Sequence, residues 1–349
     1  MATGAPMTLL DLARRTDPDG DAADIAELLS QANDIYDDIV WKEGNTSTGH
    51  LFTVRTGLPV GTWRFLNQGT PMSKSTTAQG RINCGQLTGL SVIDKRLLEM
   101  SRDQNKYRYE EDNAFLEGMS QTIASTFIYG NNISNLAQFT GLSPFYNTVN
   151  SATAANAVNV FDGGGTGGNN ASIWLIGWSP RSIYGVFPQG TAAGLKAMPL
   201  DSTELAYDSA GNPYRAALTI FEQDAGLCVE DWRWGARICN LDVTSAGLGG
   251  AAPFDIFANG MSKTLLRMPK MARSVSAITE TDAKSEAGLV VRPAFYTNRT
   301  VRGFMDIQII RDKNVLIGMH DFAGMPAETY RTIPIRVMDV QTSSEVRVT

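Results

Sequence analysis

Histidine is almost missing from this chain, and cysteine is scarce. Only His50 and His320 occur in 349 residues, with three cysteines, Cys84, Cys228 and Cys239, none of them in a CxxC pair. A metal centre built from His and Cys therefore has no ligand set, and an odd, unpatterned cysteine count points away from a disulfide framework and toward a reducing compartment. Nucleophilic catalysis usually sets a histidine base beside the nucleophile; neither histidine stands in a recognisable motif, and no GxSxG occurs. No apolar run approaches the ~18–20 residues that span a bilayer. The first ten residues also lack a basic start followed by a long apolar stretch, so neither a membrane partner nor a secretion signal is expected.

Three local patterns imitate functional motifs and fail on chemistry. The glycine loop at 163–168 is followed by no GKS or GKT and contains no GxGxxG, so it reads as a surface loop. Asp17, Asp19 and Asp21 resemble the start of a calcium loop, but the glycine comes two positions early and Leu28 stands where the closing carboxylate belongs. Glu230 and Asp231, beside Trp232 and Trp234, are the best candidates for a glycosidase pair. Neighbours on a strand point to opposite faces, however, so their carboxylates would not converge. The expectation is a chain without catalytic residues, cofactor or metal.

What is present is charge asymmetry and a succession of differently textured segments. Net charge is -6, and residues 17–43 hold nine acids against one base, Lys42. Residues 263–347 hold thirteen bases and nine acids, which suits head-to-tail contact between an acidic arm and a basic surface as well as it suits solvated faces. The Asp17-Pro18-Asp19-Gly20 turn precedes a stripe of Ile25, Leu28, Leu29, Ala32, Ile35 and Ile39 at helical spacing, capped by Asp21. A helix of that length needs a surface to dock on, either its own domain or a neighbour. His50 to Arg55 and Gly61 to Leu66 are β-prone, and the polar tract Asn67 to Thr77 suits a long projecting hairpin. The helical pattern over Gln104 to Tyr129, stopped at Gly130, predicts a spine of roughly 39 Å, with a short helix over Asp94 to Met100 before it.

Beyond residue 135 the pattern is mixed. Ser172 to Trp178 reads as a buried strand, Pro180 to Val186 as a short helix, and Gly226 to Asp242 as one or two strands. Pro253 opens a helix to about Arg267, Asn298 caps one to about Arg311, and Val315–Met319 and Ile333–Val340 close the chain as strands.

Several segments carry a resemblance: DLARRTDPDG (11–20), EGNTSTGH (43–50), VRTGLPVGTWRFLNQG (54–69), SKSTT (73–77), EEDNAFLEGM (110–119), FIYGN (127–131), SIWLIGWSP (172–180), YTNRTV (296–301) and YRTIPIRVMDV (330–340). Their order over nearly the whole chain resembles the major capsid proteins of tailed bacteriophages with the Hong Kong 97 fold. The resemblance implies an α+β subunit with an N-terminal arm (1–45), an extended β-hairpin loop (46–90), a peripheral domain with its spine helix (91–135) and a mixed α/β axial domain with returning peripheral segments (136–349). It implies hexamers and pentamers closing an icosahedral shell around double-stranded DNA held without sequence readout. A scaffolding protein, a portal and a cement or decoration protein are the implied partners, with assembly in the host cytoplasm and residence in the virion. The usual order places units like YTNRTV and TIPIRV before one like WGARICNL; here the order is reversed, so a permuted connectivity is expected. Arg64, Asn67 and Lys74 are the candidate hairpin contacts between subunits, and Asp34, Asp37 and Asp38 those of the arm. Lys74 occupies a place where some shells form isopeptide crosslinks, but Ser73 and Ser75 offer no apolar, acid-assisted pocket, so electrostatics is its expected role. The rival readings are a decoration, tail or adhesion module, and a β-rich carbohydrate-active enzyme using Glu230 or Asp231.

Overall fold

The computed structural model describes residues 29–101, 103–200, 204–208, 210–244, 247–250, 253–269, 291–311, 317–322 and 325–349. The proposed Asp21 cap and the stripe residues Ile25 and Leu28 lie outside them. Among the described residues thirteen strands join one sheet system, and β2 (Gly49–Gly57) and β3 (Thr76–Asn83) form a separate two-stranded hairpin.

The spine, α2 (Gln104–Tyr129), has the bounds its caps dictate. Asp103 accepts the backbone N–H groups of Asn105 and Lys106, and Gly130 closes the helix by donating to Thr126 O. The short helix α1 (Lys95–Met100) precedes it, with the Asp94 carboxylate accepting Arg96 N–H at 2.8 Å.

The N-terminal half of α2 rides on β4 (Gly85–Asp94) and the long strand β10 (Pro213–Val229). Phe115 stacks on Phe221 at 5.7 Å, and Arg108 donates to Leu218 O and Thr219 Oγ1. Met119 lies over Gly89, where a β-carbon would come within 3.0 Å of its sulfur. The C-terminal half enters the main core through Ile123, Ala124, Phe127 and Ile128.

That core is organised by β6 (Asn170–Trp178), all nine residues of which are buried. Side chains alternate across a strand, so Trp174, Ile176 and Trp178 join α2, while Ile173 and Leu175 join a second core with Phe257, Leu265, Phe295 and Met305. Burial on both faces explains why Ile173 to Trp178 is a continuous run without polar residues instead of alternating. β6 is flanked by β11 (Gly235–Asp242) and β12 (Arg292–Thr297), both antiparallel to it, and β5 (Val160–Asp162) lies parallel beyond β11. β12 leads through Asn298, whose Oδ1 accepts Val301 N–H at 2.9 Å, into α3 (Arg299–Arg311). Beyond β12 lie β15 (Ile333–Val337), β14 (Met325–Tyr330) and β13 (Ile317–Phe322). On the other side β7 (Ile183–Phe187) pairs with β6, with β10 and with β1 (Trp41–Glu43). The short β8 (Lys196–Pro199) and β9 (Leu205–Tyr207) pair with β10.

Four sequence expectations are corrected. Residues 180–186 are not helical: Ile183–Phe187 is β7, its backbone claimed by strands distant in sequence, and Ser179 to Ser182 make the preceding turn. Among the described residues of the stripe, the helix expected to run through to Ile39 is confined to Ile35–Asp38, because Asn33 bridges Met338 and Asp34 N–H donates to Val337 O. Gly61 to Leu66 carries no strand and lies in the hairpin tip. The helix after Pro253 begins only at Ile256, as a wide π-type turn to Met261 before a regular turn over Ser262–Arg267.

Candidate functional site: the hairpin and its root

The hairpin is built by register. β2 and β3 pair from Gly49↔Asn83 to Arg55↔Thr77, with an irregularity at Arg55/Gly57. Phe52 faces Gly80 directly across the ladder, and its ring occupies the space a β-carbon would take. The Asn45 side chain clamps Leu51 from the other side, accepting its N–H and donating to its carbonyl, each at 2.7 Å. Leu51 therefore turns its backbone away from β3, and by the strand's period of two so do Thr53 and Arg55, leaving an open edge.

Beyond this ladder residues 58–75 form a tip without regular structure. Leu58, Val60, Phe65 and Leu66 are exposed, and Trp63 and Met72 are as exposed as in an extended chain, at 102%. Nothing among the described residues covers this apolar group, and a patch of its size on a narrow projection marks an interaction surface.

The candidate hairpin residues lie in this tip. Arg64 donates to Gln68 O at 2.9 Å, and Asn67 sits in the left-handed region at φ 67°, holding the turn. Lys74 is exposed next to Ser73, whose hydroxyl donates to Val60 O.

The arm candidates sit differently. Asp38 accepts the Tyr296 hydroxyl at 2.6 Å and Arg336 at 3.2 Å, and Asp34 accepts Val337 N–H at 3.2 Å. Both carboxylates are thus engaged within their own subunit, while Asp37 faces solvent. Burial, with Asp38 alongside, drives the Tyr296 phenol far above its ordinary range, so it remains a donor to Asp38 while accepting Trp178 Nε1–H at 2.7 Å. Ile35 and Ile39 fill the main core beside it.

Sequence reasoning missed the apolar tip. Trp63 and Phe65 alternate with Thr62 and Arg64 as in a half-buried strand, but Pro59, Gly61, Gly69 and Pro71 break any ladder; those four residues were the available signal.

Between the open edge of β2 and the body runs a groove of about 1360 Å³, lined by Thr53–Leu58 on one side and by Arg181 and Glu230–Trp234 on the other. Glu230 and Asp231 both border it but serve separate partners. Tyr184 donates to Glu230 at 3.1 Å, and Asp231 holds Arg233 through its backbone and guanidinium.

The family model of the major capsid protein GP7 matches residues 17–349. The chain belongs to the GP7 family of major capsid proteins. Its architecture is similar to a chain of the near-atomic cryo-EM structure of bacteriophage epsilon15, at 27% identity over 100% of this chain and 99% of that one, with a TM-score of 0.72. The bacteriophage JBD30 capsid aligns over 90% of this chain and 93% of its own at 10% identity, TM-score 0.49. The capsid of the native GTA particle aligns over 64% of this chain and 95% of its own at 10% identity, TM-score 0.46. A comparison with curated proteins returns no match. The capsid protein is a structural component of the virion, has the Hong Kong 97-like α+β fold of tailed-phage capsid subunits, and assembles with itself into the phage shell.

Proposed function

We propose that the capsid protein assembles as hexamers and pentamers into an icosahedral shell around double-stranded DNA, its hairpin lying on a neighbouring copy. The observation that carries this reading is the tip: Trp63, Phe65, Leu66 and Met72 fully or largely exposed on a projection flanked by the cations Arg64 and Lys74. Many modest contacts of this kind, closed by symmetry, hold a shell through effective concentration. In that shell residues 1–45 act as the arm, 46–90 as the extended loop, 91–135 as the peripheral spine and 136–349 as the axial body, with the β6–β11 unit preceding β12–α3–β15 as a permuted connectivity. Asp37 is the arm residue free to meet a neighbour. DNA is held without sequence readout, so a net charge of -6 is no obstacle. A scaffolding protein, a portal and a cement protein complete the assembly, which takes place in the host cytoplasm.

The test is charge reversal at the tip. The double substitution Arg64→Glu/Lys74→Glu, and separately Trp63→Ser/Phe65→Ser, should abolish particles in negative-stain microscopy and light scattering. Far-UV circular dichroism should stay unchanged, because the tip adds nothing to the subunit core. Normal shells from both variants would refute the reading.

A further inference from the structure

The hairpin meets the body through a small patch at its root, and that patch contains a histidine. The chain enters the hairpin through Gly44 and Gly49 and leaves it through Cys84 and Gly85. A β-carbon at Gly44 would fall on Gly49 O and one at Gly49 on Ile82 O, so both joints depend on close backbone approach. Phe52, Ile82 and Cys84 pack against Tyr184, Val186 and Cys228 of the body. His50, the second residue of β2, is 7% exposed and lies edge-on to the Tyr184 ring at 5.9 Å. Its Nδ1 is buried and has no hydrogen-bond partner among the described residues.

Among the described residues, charged and titratable groups reach this patch from several elements. Lys42 of β1 places its ammonium 4.8 Å from the centre of the same Tyr184 ring. Glu230, just past the end of β10, is held by the Tyr184 hydroxyl, and Cys228 of β10 lies against Tyr184. Cys84 completes the patch, with Asp224 near its thiol. Arg81 of β3 is turned to Thr48 Oγ1 at 2.9 Å.

We infer that His50 is a protonation-sensitive latch that keeps the hairpin docked on Tyr184 while neutral and releases its root when charged. A proton on the ring would place a cation in a buried site already facing the Lys42 ammonium, while the Glu230 carboxylate is committed to the Tyr184 hydroxyl and Asp224 lies toward Cys84. Burial first, and Lys42 second, hold the imidazole below its ordinary pKa, against a smaller opposing effect of Glu230. The sign follows. The docked state prefers the neutral ring, so its advantage is complete above the free histidine range and falls as the pH drops below the pKa of the undocked ring. Acid loosens the hairpin; neutral pH seats it.

Cys84 reports the latch. Its thiol is half-buried in the same patch, and burial together with Asp224 pushes its pKa up to about 11. The full-length protein before assembly is labelled with dithiodipyridine, which reacts with thiols in acid as well as at neutrality. Modification at Cys84 is read by peptide mass spectrometry and normalised to the same protein unfolded in urea at each pH. The expected result is a severalfold rise in the Cys84 rate from about pH 7 to about pH 5. His50→Phe, which keeps a ring against Tyr184, should abolish that rise, and Lys42→Met should shrink it. A flat wild-type profile, or an undiminished rise in either variant, overturns the inference. The inference rests on the assembly reading only for its consequence. Particle formation is not the readout, so loss of the labelling effect and loss of shells are separate outcomes.

Discussion

At the scale of single residues, the most consequential interaction lies far from the hairpin. Arg237 of β11 and Glu345 of the C-terminal tail form an ion pair at 2.9 Å, with side chains only 3% and 6% exposed. The guanidinium also donates to Ser172 Oγ and Tyr146 O and stacks over Trp174 at 4.8 Å. The carboxylate accepts the Tyr129 hydroxyl at 2.6 Å and also meets the Ser172 hydroxyl. Burial, reinforced by Glu345, raises the Tyr129 phenol above its usual range, so it stays a donor at any physiological pH. A buried pair whose remaining hydrogen bonds are all made is tolerated; a buried charge left alone is not. Glu345→Ala should therefore destabilise the subunit by about 3–5 kcal/mol in urea unfolding, whereas removing the exposed charge at Asp37 should change stability by less than about 0.5 kcal/mol. Nothing in the sequence joins Arg237 to Glu345. They are more than a hundred positions apart, and a lone glutamate in a polar tail reads as a solvated one.

The elements divide by how local their causes are. α2 could be read to the residue because its signals are its own: acids in the early turns, apolar residues at helical spacing, and Gly130 to end it. α3 follows from Asn298, and β6 from an unbroken apolar run. Where a distant strand competes for the backbone, local signals lose. Pro180 suggested a helix, but Ile183–Phe187 is claimed by β10 and β1; the apolar stripe before Ile39 suggested one too, but Asn33 and Asp34 are claimed by the chain near Met338. The spine gives a direct comparison of local and packing contributions. Removing the cap with Asp103→Ala should cost about 1 kcal/mol. Phe127→Ala should cost about 3–5 kcal/mol, since Phe127 is fully buried against Trp41 and Phe139. Thermal unfolding of the two variants under one condition measures the ratio. Comparable losses would mean that the spine is held by its own propensity and not by the core.

On the scale of the whole subunit, the segment around Ala32 is tied to the C-terminal segment. Ala32 N–H donates to the Asp339 carboxylate, Asp339 N–H donates to Ala32 O, and Arg299 grips the same carboxylate. Further along, Glu345 N–H donates to Asn170 O, and the Asn240 side chain donates to Val348 O and accepts Val348 N–H. Deleting residues 342–349 should cost more than Glu345→Ala, since the backbone partners at Asn170 and Asn240 are lost along with the ion pair. Soluble yield and the urea midpoint compare the two, and equal losses would assign the whole effect to the single carboxylate.

β10 carries an implication of a mechanical kind. At roughly 3.3 Å per residue its 17 residues run some 56 Å, and it changes partner in its last quarter: Ala225 is the last residue laddered to β4, and Gly226 the first laddered to β7. The part of the sheet beneath the spine and the part beside the body thus share one continuous rail, spliced at a residue without a side chain. If the shell alters its curvature, any tilt of one part of each tile against the other strains that rail as well as the spine lying over both, and the splice at Gly226, against Cys84 at the foot of the hairpin, is where the rail is thinnest.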